Sequence, residues 1–243
     1  MKKLFNIALC ALAMLIAMPQ QAEAAKKKEK KAFEWEMPEL SGNADVDNYL
    51  LKCDTLWTKI KSYSTDITFY EMAEITVTNA DGTTEKTYQM VDKDGVVRSK
   101  NLAFKQNMDI ILAYPDIVLK LTDLATAQLA AVTAAPSLGL GALKYGKYIK
   151  AGPKIIEMGG QEMKTIYKRA RAQAAQIKAL KEGKIDDAIE KNTEVQAGQV
   201  EAGATSIRQI TKTKEDYDKE LAAATQVDNA NSVDGMNIPE EEG

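Results

Sequence analysis

Residues 161–181 read QEMKTIYKRARAQAAQIKALK, and this stretch decides the fold class. Its apolar residues recur every three or four positions, so they lie on one side of a helix, opposite a charged face. They are Met163, Ile166, Ala170, Ala174, Ile177 and Leu180. The stretch therefore predicts a long amphipathic helix with one buried stripe.

A second helix is predicted from Ile185 to about Thr225, after the short polar break Glu182-Gly183-Lys184. Two long amphipathic helices joined by so few residues should fold back as an antiparallel hairpin. The break lies in EGKIDDAIE (182–190), which resembles the junction between tetratricopeptide repeats. No second copy of this motif lies 34 residues away, so the resemblance implies a helical hairpin only. The expected seam of the second helix is Ile189, Val200, Ile207, Ile210, Tyr217 and Leu221.

Towards the N-terminus, the apolar period changes from helical to alternating. Val46 to about Ser62 has the helical stripe Tyr49, Leu50, Cys53, Leu56, Trp57 and Ile60. Ile67, Phe69, Ala73, Ile75 and Val77 then alternate with polar residues or Tyr70, which is typical of a half-buried strand. Turns at residues 79–82 and 92–95 flank a second strand, Thr83–Val91, and precede Val96-Val97. We expect a two- or three-stranded meander; the alternative is one long helix through Met72.

The middle of the chain is also predicted to be helical. Leu102 to Ala113 forms one helix, and Pro115 fits the first turn of a new one. The buried stripe of the new helix is expected to be Ile117, Leu121, Leu124, Ala125, Leu129 and Val132. Residues 137–160 are rich in small residues, and we expect breaks at Gly152-Pro153 and Gly159-Gly160.

The two ends of the chain differ from this body. Residues 1–24 combine two lysines, an apolar run and the small-x-small triplet Ala22-Glu23-Ala24, which predicts a cleaved secretion leader. Residues 25–44 are a basic, extended linker, in which Phe33–Pro38 could dock as a strap. The helical domain spans 45–225, with a β-hairpin at about 66–91. Residues 226–243 form a polar tail with three glutamates, Glu240 to Glu242, before Gly243, and this tail should be disordered.

Composition argues against several kinds of chemistry. The chain has no histidine, and cleavage after residue 24 would leave Cys53 as the one cysteine. The chain therefore lacks the usual general base, the Ser-His and Cys-His catalytic pairs, and the ligands of a zinc site. Without Lys2, Lys3 and Glu23 the chain has 30 basic and 34 acidic residues, a net charge of −4, which argues against nucleic-acid binding. We expect no enzyme activity, cofactor or metal, and a buried Cys53.

Charge is distributed unevenly along the helices. Residues 142–184 contain eleven basic and three acidic residues, whereas residues 185–225 contain five and nine. The neighbouring helices could complement each other across the hairpin, or the basic stretch could bind an external partner. The candidate interaction surface comprises Lys144, Tyr145, Lys147, Tyr148, Lys150, Lys154, Lys168, Arg169 and Arg171.

These patterns predict a mainly α-helical bundle or long hairpin with a small β-meander in its N-terminal third. The function we expect is that of a non-catalytic helical protein that is exported to the periplasm or medium, or associated with the outer membrane. It would present helical surfaces to a protein partner or to itself. The alternative is a peripheral protein that binds anionic lipid through residues 117–160, where Ala- and Gly-rich apolar segments are followed by lysines and tyrosines. A membrane span is not expected, because no stretch after residue 24 has 18 apolar residues without a charge.

Overall fold

The computed structural model describes residues 33–196, 207–233 and 235–239 of the chain. These residues form two compact units. Unit 1 contains residues 33–60 and 115–161, and unit 2 contains residues 61–114, 162–196, 207–233 and 235–239. The predicted secretion leader and the basic residues 25–32 lie outside the described residues.

The described chain is mainly α-helical with a small sheet, so the predicted fold class is confirmed. The strands are β1 (Glu71–Thr78), β2 (Thr84–Val91) and β3 (Arg208–Thr213). The helices are α1 (Ala44–Asp66), α2 (Lys100–Ala134), α3 (Gly141–Ile149), α4 (Gly152–Lys181), α5 (Ile185–Gln196) and α6 (Lys214–Ala230).

Helix α1 buries the stripe that the sequence predicts. Its start is capped by Asn43, whose Oδ1 accepts hydrogen bonds from the backbone N–H groups of Asp45 and Val46, at 3.1 and 3.2 Å. Cys53 is fully buried among the apolar residues of the stripe, as predicted. The helix ends at Asp66, four residues beyond the predicted end, so the alternative of one helix through Met72 is wrong.

The segment before α1 docks on unit 1 as a strap. The Phe33 ring meets the Trp57 ring edge-on, with ring centres 5.2 Å apart, and the Trp35 ring meets the Tyr148 ring at 6.0 Å. Edge-on aromatic contacts of this kind favour a fixed position. Of the two interpretations of Phe33–Pro38, the docked strap is confirmed.

Strands β1 and β2 form the predicted hairpin, but the third strand comes from elsewhere in the chain. Their antiparallel register pairs Glu71 with Val91 and Thr78 with Thr84. Val97, which the sequence placed in a third meander strand, makes one isolated bridge to Val91. The sheet order is β2-β1-β3, and β3 runs parallel to β1.

Strand β3 shows that the predicted long helix from Ile185 to Thr225 is wrong. Helix α5 ends at Gln196, and residues 208–213 are extended. Two effects favour a strand here. Ile210, Thr211 and Thr213 are β-branched, which favours extended backbone, and Ile210 packs against the core beside the sheet. Thr213 then caps α6 by accepting a hydrogen bond from the Asp216 N–H at 3.2 Å. Because α6 continues to Ala230, residues 226–230 of the predicted disordered tail are helical.

Helix α4 confirms the amphipathic helix predicted for residues 161–181, and it starts nine residues earlier, at Gly152. All six predicted stripe residues between Met163 and Leu180 are buried. The predicted break at Gly159-Gly160 is wrong, since α4 starts at Gly152 and continues through both glycines. A Cβ on Gly159 would lie 3.0 Å from Ile60 Cδ1, so this glycine serves close packing and not a turn.

Helices α4 and α5 form the predicted hairpin, with a shorter second arm. Gly183 has φ +75°, and the Lys184 N–H donates to the Ala179 carbonyl at 2.9 Å, which is the geometry of a glycine-terminated helix. Across the hairpin, the Gln176 amide donates to the Ala188 carbonyl at 3.1 Å. The described hydrogen bonds between these two helices are thus made by buried amides.

Helix α2 is continuous where the sequence predicted two helices. Pro115 lies inside it and is exposed. Proline removes one backbone hydrogen bond and normally kinks or ends a helix. Buried side chains on both sides of it, such as Ile111 and Ile117, offset that loss through packing.

Candidate interaction surface

Within unit 1, the residues that α2 buries become smaller towards its C-terminal end. Ile117, Leu121 and Leu124 are almost completely buried, but the next buried positions are Ala127 and Ala131. Steps of three and four residues from Leu124 lead to these alanines, so the helix period itself places them on the core side.

Leu129 and Val132, predicted to be buried, are exposed instead, by 71% and 52%. The predicted stripe continued from Ala125 instead of Leu124, and Ala125 lies on a neighbouring face of the helix and is half-buried. The correction leaves two large apolar side chains, separated by three positions, on the solvent side near the end of α2.

A turn then reverses the chain and exposes two more leucines. Residues Ala135–Leu138 form a short 3₁₀ turn with Pro136 near its start, and Gly139 follows with φ 56°. Leu140 and Leu143 come next and are exposed by 89% and 83%. We call Leu129, Val132, Leu140 and Leu143 the apolar corner.

No charged residue occurs from Leu124 through Leu143, which is the stretch that carries the apolar corner. The first charges after it are Lys144, Lys147, Lys150 and Lys154, and the first acidic residue is Glu157. The corner is therefore uncharged and is followed directly by positive charge alone.

The four lysines keep their ammonium groups near the surface. Lys144 Nζ lies 3.0 Å from Glu39 Oε2, and its hydrogen bond lowers the pKa of that exposed carboxyl. The Lys147 and Lys154 ammonium groups each lie 4.6 Å from an aromatic ring centre, of Tyr148 and Phe33 respectively. Lys150 is exposed. An ion pair as exposed as Lys144–Glu39 is easily exchanged for another anion.

The C-terminal end of α3 is held firmly in unit 1. The Tyr49 hydroxyl donates to the Tyr148 carbonyl at 3.0 Å, and the Gln128 amide donates to the Ile149 carbonyl at 3.0 Å. The Gln128 bond pairs a carbonyl at the helix end, and the Tyr148 carbonyl also accepts from the Ala151 N–H at 3.0 Å. The approach is so close that a Cβ on Gly152 would lie 2.6 Å from the Tyr49 oxygen. Only the opposite end of α3, with Leu140 and Leu143, projects its apolar residues into solvent.

The structure divides the predicted interaction residues between the two units. In unit 1, Lys144, Lys147, Lys150 and Lys154 are exposed, Tyr148 is half-buried, and Tyr145 is buried with its hydroxyl donating to the Leu40 carbonyl at 3.1 Å. Tyr145 is therefore not part of an exposed surface.

In unit 2, Lys168 is exposed, whereas Arg169 is buried and Arg171 donates to the Pro239 carbonyl. Including Arg169 in the surface was wrong, because it shares the buried face of α4 with Ile166 and Gln173. Burial lowers the pKa of its guanidinium. Counting charges along a sequence does not reveal on which side of a helix each charge lies.

By length and composition, one helix in the described part of the chain could cross a membrane. It is α2 together with the following turn, Lys100–Leu138. Only 28% of its most apolar 18-residue window is buried. Most of this window is therefore not buried within the described structure.

Unit 2 contains a groove of about 490 Å³ that brings carboxylates and aromatic residues together. Asp66, Asp109, Phe69, Tyr70 and Leu102 line it. Within residues 33–196, 207–233 and 235–239, no group of three or more Cys, Asp or Glu side chains is arranged to hold a metal ion. Carboxylates on a groove are a weaker indication of function than the corner, where large apolar groups face water.

Sequence reasoning missed Leu140 and Leu143, although a signal for them was present. They lie in Gly139-Leu140-Gly141-Ala142-Leu143, where glycines flank a leucine inside a charge-free stretch. Small neighbours cannot cover a large side chain, so such a leucine stays exposed unless another part of the fold packs on it.

Comparison of the chain with protein-family models, with curated proteins and with solved structures finds no match.

Proposed function

We propose that this protein is a non-catalytic, exported protein that acts by contact, and that the apolar corner is its contact surface. The observation that carries the proposal is the nearly complete exposure of Leu140 and Leu143. Leaving a leucine side chain in water forgoes about 1.5–3 kcal/mol that burial would provide. Leu140 and Leu143 are three positions apart at the start of α3, as are Leu129 and Val132 on α2, and neighbouring exposed apolar residues are typical of surfaces that bind a partner.

Two features of the sequence support the rest of the proposal. The leader pattern at residues 1–24 favours export to the periplasm or medium, and the lack of histidine removes the commonest catalytic base. The partner would be a protein, a second copy of this chain, or a membrane surface at its destination.

Site-specific photo-crosslinking in intact cells tests this function. A photoreactive amino acid replaces Leu140 in one strain and Thr58, an exposed residue of α1 in the same unit, in the other. We expect the probe at position 140 to form adducts, with protein or with lipid, that the probe at position 58 does not form. Mass spectrometry identifies the adduct.

Equal labelling at the two positions, or reaction with water alone at position 140, would rule out the corner as a contact surface. Recovery of the protein from the cytoplasm with its first 24 residues intact would rule out export.

A further inference from the structure

We propose that the partner of the apolar corner is an anionic lipid surface. Leu140 and Leu143 insert below the headgroups, while Lys144, Lys147 and Lys150 contact the headgroup phosphates. This inference rests on the proposed function and names the partner of the same surface.

The composition of the corner fits lipid better than protein. Contact surfaces between proteins are enriched in Trp, Tyr and Arg, and their energetic centres are poor in Leu and Val. The corner shows the opposite choice, with three leucines and one valine exposed and lysine as the neighbouring charge. Exposed leucines next to lysines are typical of protein segments that lie in a membrane interface.

The charges next to the corner select an anionic surface. From Leu124 to Ile156 the chain has four lysines and no acidic residue. A lysine stem can lie along apolar groups while its ammonium group reaches the phosphates. Glu39 is the one anion paired with these lysines in the described structure, and its exposed position lets a headgroup phosphate replace it.

The length of the uncharged helix favours insertion into one face of the bilayer over crossing it. The charge-free part of α2 runs from Leu124 to Ala134, which is about 16 Å of helix and roughly half of the hydrocarbon thickness. Asp123 and Lys120 precede it, and Lys144 follows the turn. The corner can therefore enter the interface while both of its flanks stay at the polar surface.

The corner needs little rearrangement before it binds. Tyr49 and Gln128 hold the far end of α3 by hydrogen bonds, and Pro136 restricts the turn. A surface that is already in its bound shape loses less conformational entropy on binding.

Vesicle flotation with the exported chain tests the inference. The vesicles contain phosphatidylcholine alone or phosphatidylcholine with phosphatidylglycerol, at low salt. We expect the protein to float with the anionic vesicles and to remain at the bottom with the neutral ones. Raising the salt concentration should release it, because screening weakens the attraction between lysines and lipid.

Paired variants separate the apolar and the charged contributions. Leu140→Ser with Leu143→Ser should weaken binding at least about tenfold, whereas Leu112→Ser, at an exposed leucine of unit 2, should leave it unchanged. Lys147→Gln with Lys150→Gln should weaken binding to anionic vesicles roughly thirtyfold. Lys164→Gln with Lys168→Gln, at exposed lysines of unit 2, is the matched control. All the substituted side chains are exposed, so circular dichroism should show an unchanged fold.

Failure of the anionic vesicles to carry the protein, or equal flotation of the Leu140→Ser, Leu143→Ser protein, overturns the lipid inference. The crosslinking experiment keeps the two proposals apart. A protein adduct at position 140 without flotation leaves the contact function standing and removes lipid as the partner. No adduct and no flotation remove both.

Discussion

Two consecutive stretches of α2, Ile117–Leu124 and Ala125–Val132, are both apolar, but the first buries large side chains and the second buries small ones. The first buries Ile117, Leu121 and Leu124 and carries the charges of Lys120 and Asp123 outside, although Leu119 is exposed as well. The second buries alanines and exposes Leu129 and Val132, with no charge at all. The first stretch packs large apolar residues into the core of unit 1, whereas the second packs alanines there and leaves large apolar residues in solvent.

The largest expected difference between the two stretches is in stability. Leu124→Ala removes a fully buried side chain and should lower the free energy of unfolding by about 2–5 kcal/mol. Leu129→Ala makes the same chemical change at an exposed position, so it should alter this free energy by no more than about 0.5 kcal/mol. Urea unfolding followed by circular dichroism measures both. A large loss in Leu129→Ala would mean that this leucine is buried in solution, and the contrast would disappear.

The alanines on the core side of the second stretch should resist enlargement. Ala131 is fully buried, so Ala131→Leu should cost about 1–3 kcal/mol of unfolding free energy through overpacking. Ala130→Leu, at the exposed neighbour, should be close to neutral and is the matched control. Tolerance of leucine at position 131 in the same urea assay would show that the second stretch is not packed against a core.

The close approach beside Gln128 should show a smaller effect of the same kind. A Cβ at Gly152 would lie 2.6 Å from the Tyr49 oxygen and 2.9 Å from Gln128 Cδ. Gly152→Ala should lower the free energy of unfolding by about 1–2 kcal/mol. The loss is limited because the Gln128 side chain is flexible enough to give way in part. Gly146→Ala meets open space inside α3 and should stabilise by about 0.5–1 kcal/mol. Thermal unfolding that ranks these two variants in the reverse order contradicts the packing described here.

The smallest expected effect concerns the strap and the first lysine. Glu39 competes with lipid phosphate for Lys144, so Glu39→Gln should strengthen flotation with anionic vesicles by up to about fivefold. Glu36→Gln, at an exposed glutamate of the same segment, should have less effect because no described ion pair joins Glu36 to Lys144. Weaker flotation of Glu39→Gln would mean that the ion pair positions Lys144 for binding.

Local periodicity was enough to predict α1, the β1–β2 hairpin and the buried face of α4, because each depends on neighbours within a few turns. Strand β3 was missed because its partner is far away: Ala73 pairs with Arg208 across more than half of the chain. The continuity of α2 through Pro115 and of α4 through Gly159 was missed because tertiary packing outweighs the local preference of proline and glycine.

The candidate surface was predicted in part for the same reason. The lysines from Lys144 to Lys154 were found by counting charges, but Tyr145 and Arg169 are buried and the exposed leucines were not found. Burial depends on which residues pack over a side chain. A count of charges along the sequence does not show this, and neither does a helical stripe assigned to the wrong face.

Insertion of Leu140 into anionic lipid can be measured most directly with an environment-sensitive fluorophore, NBD, attached at Leu140→Cys in the exported chain. Cys53 should not react, since its burial raises the pKa of the thiol to about 11. On addition of vesicles containing phosphatidylglycerol, the emission at position 140 should shift to shorter wavelength and increase, while NBD at Leu112→Cys should not change. Emission at position 140 that remains like that in water, at vesicle concentrations that carry the protein upward, would show that the corner does not enter the membrane.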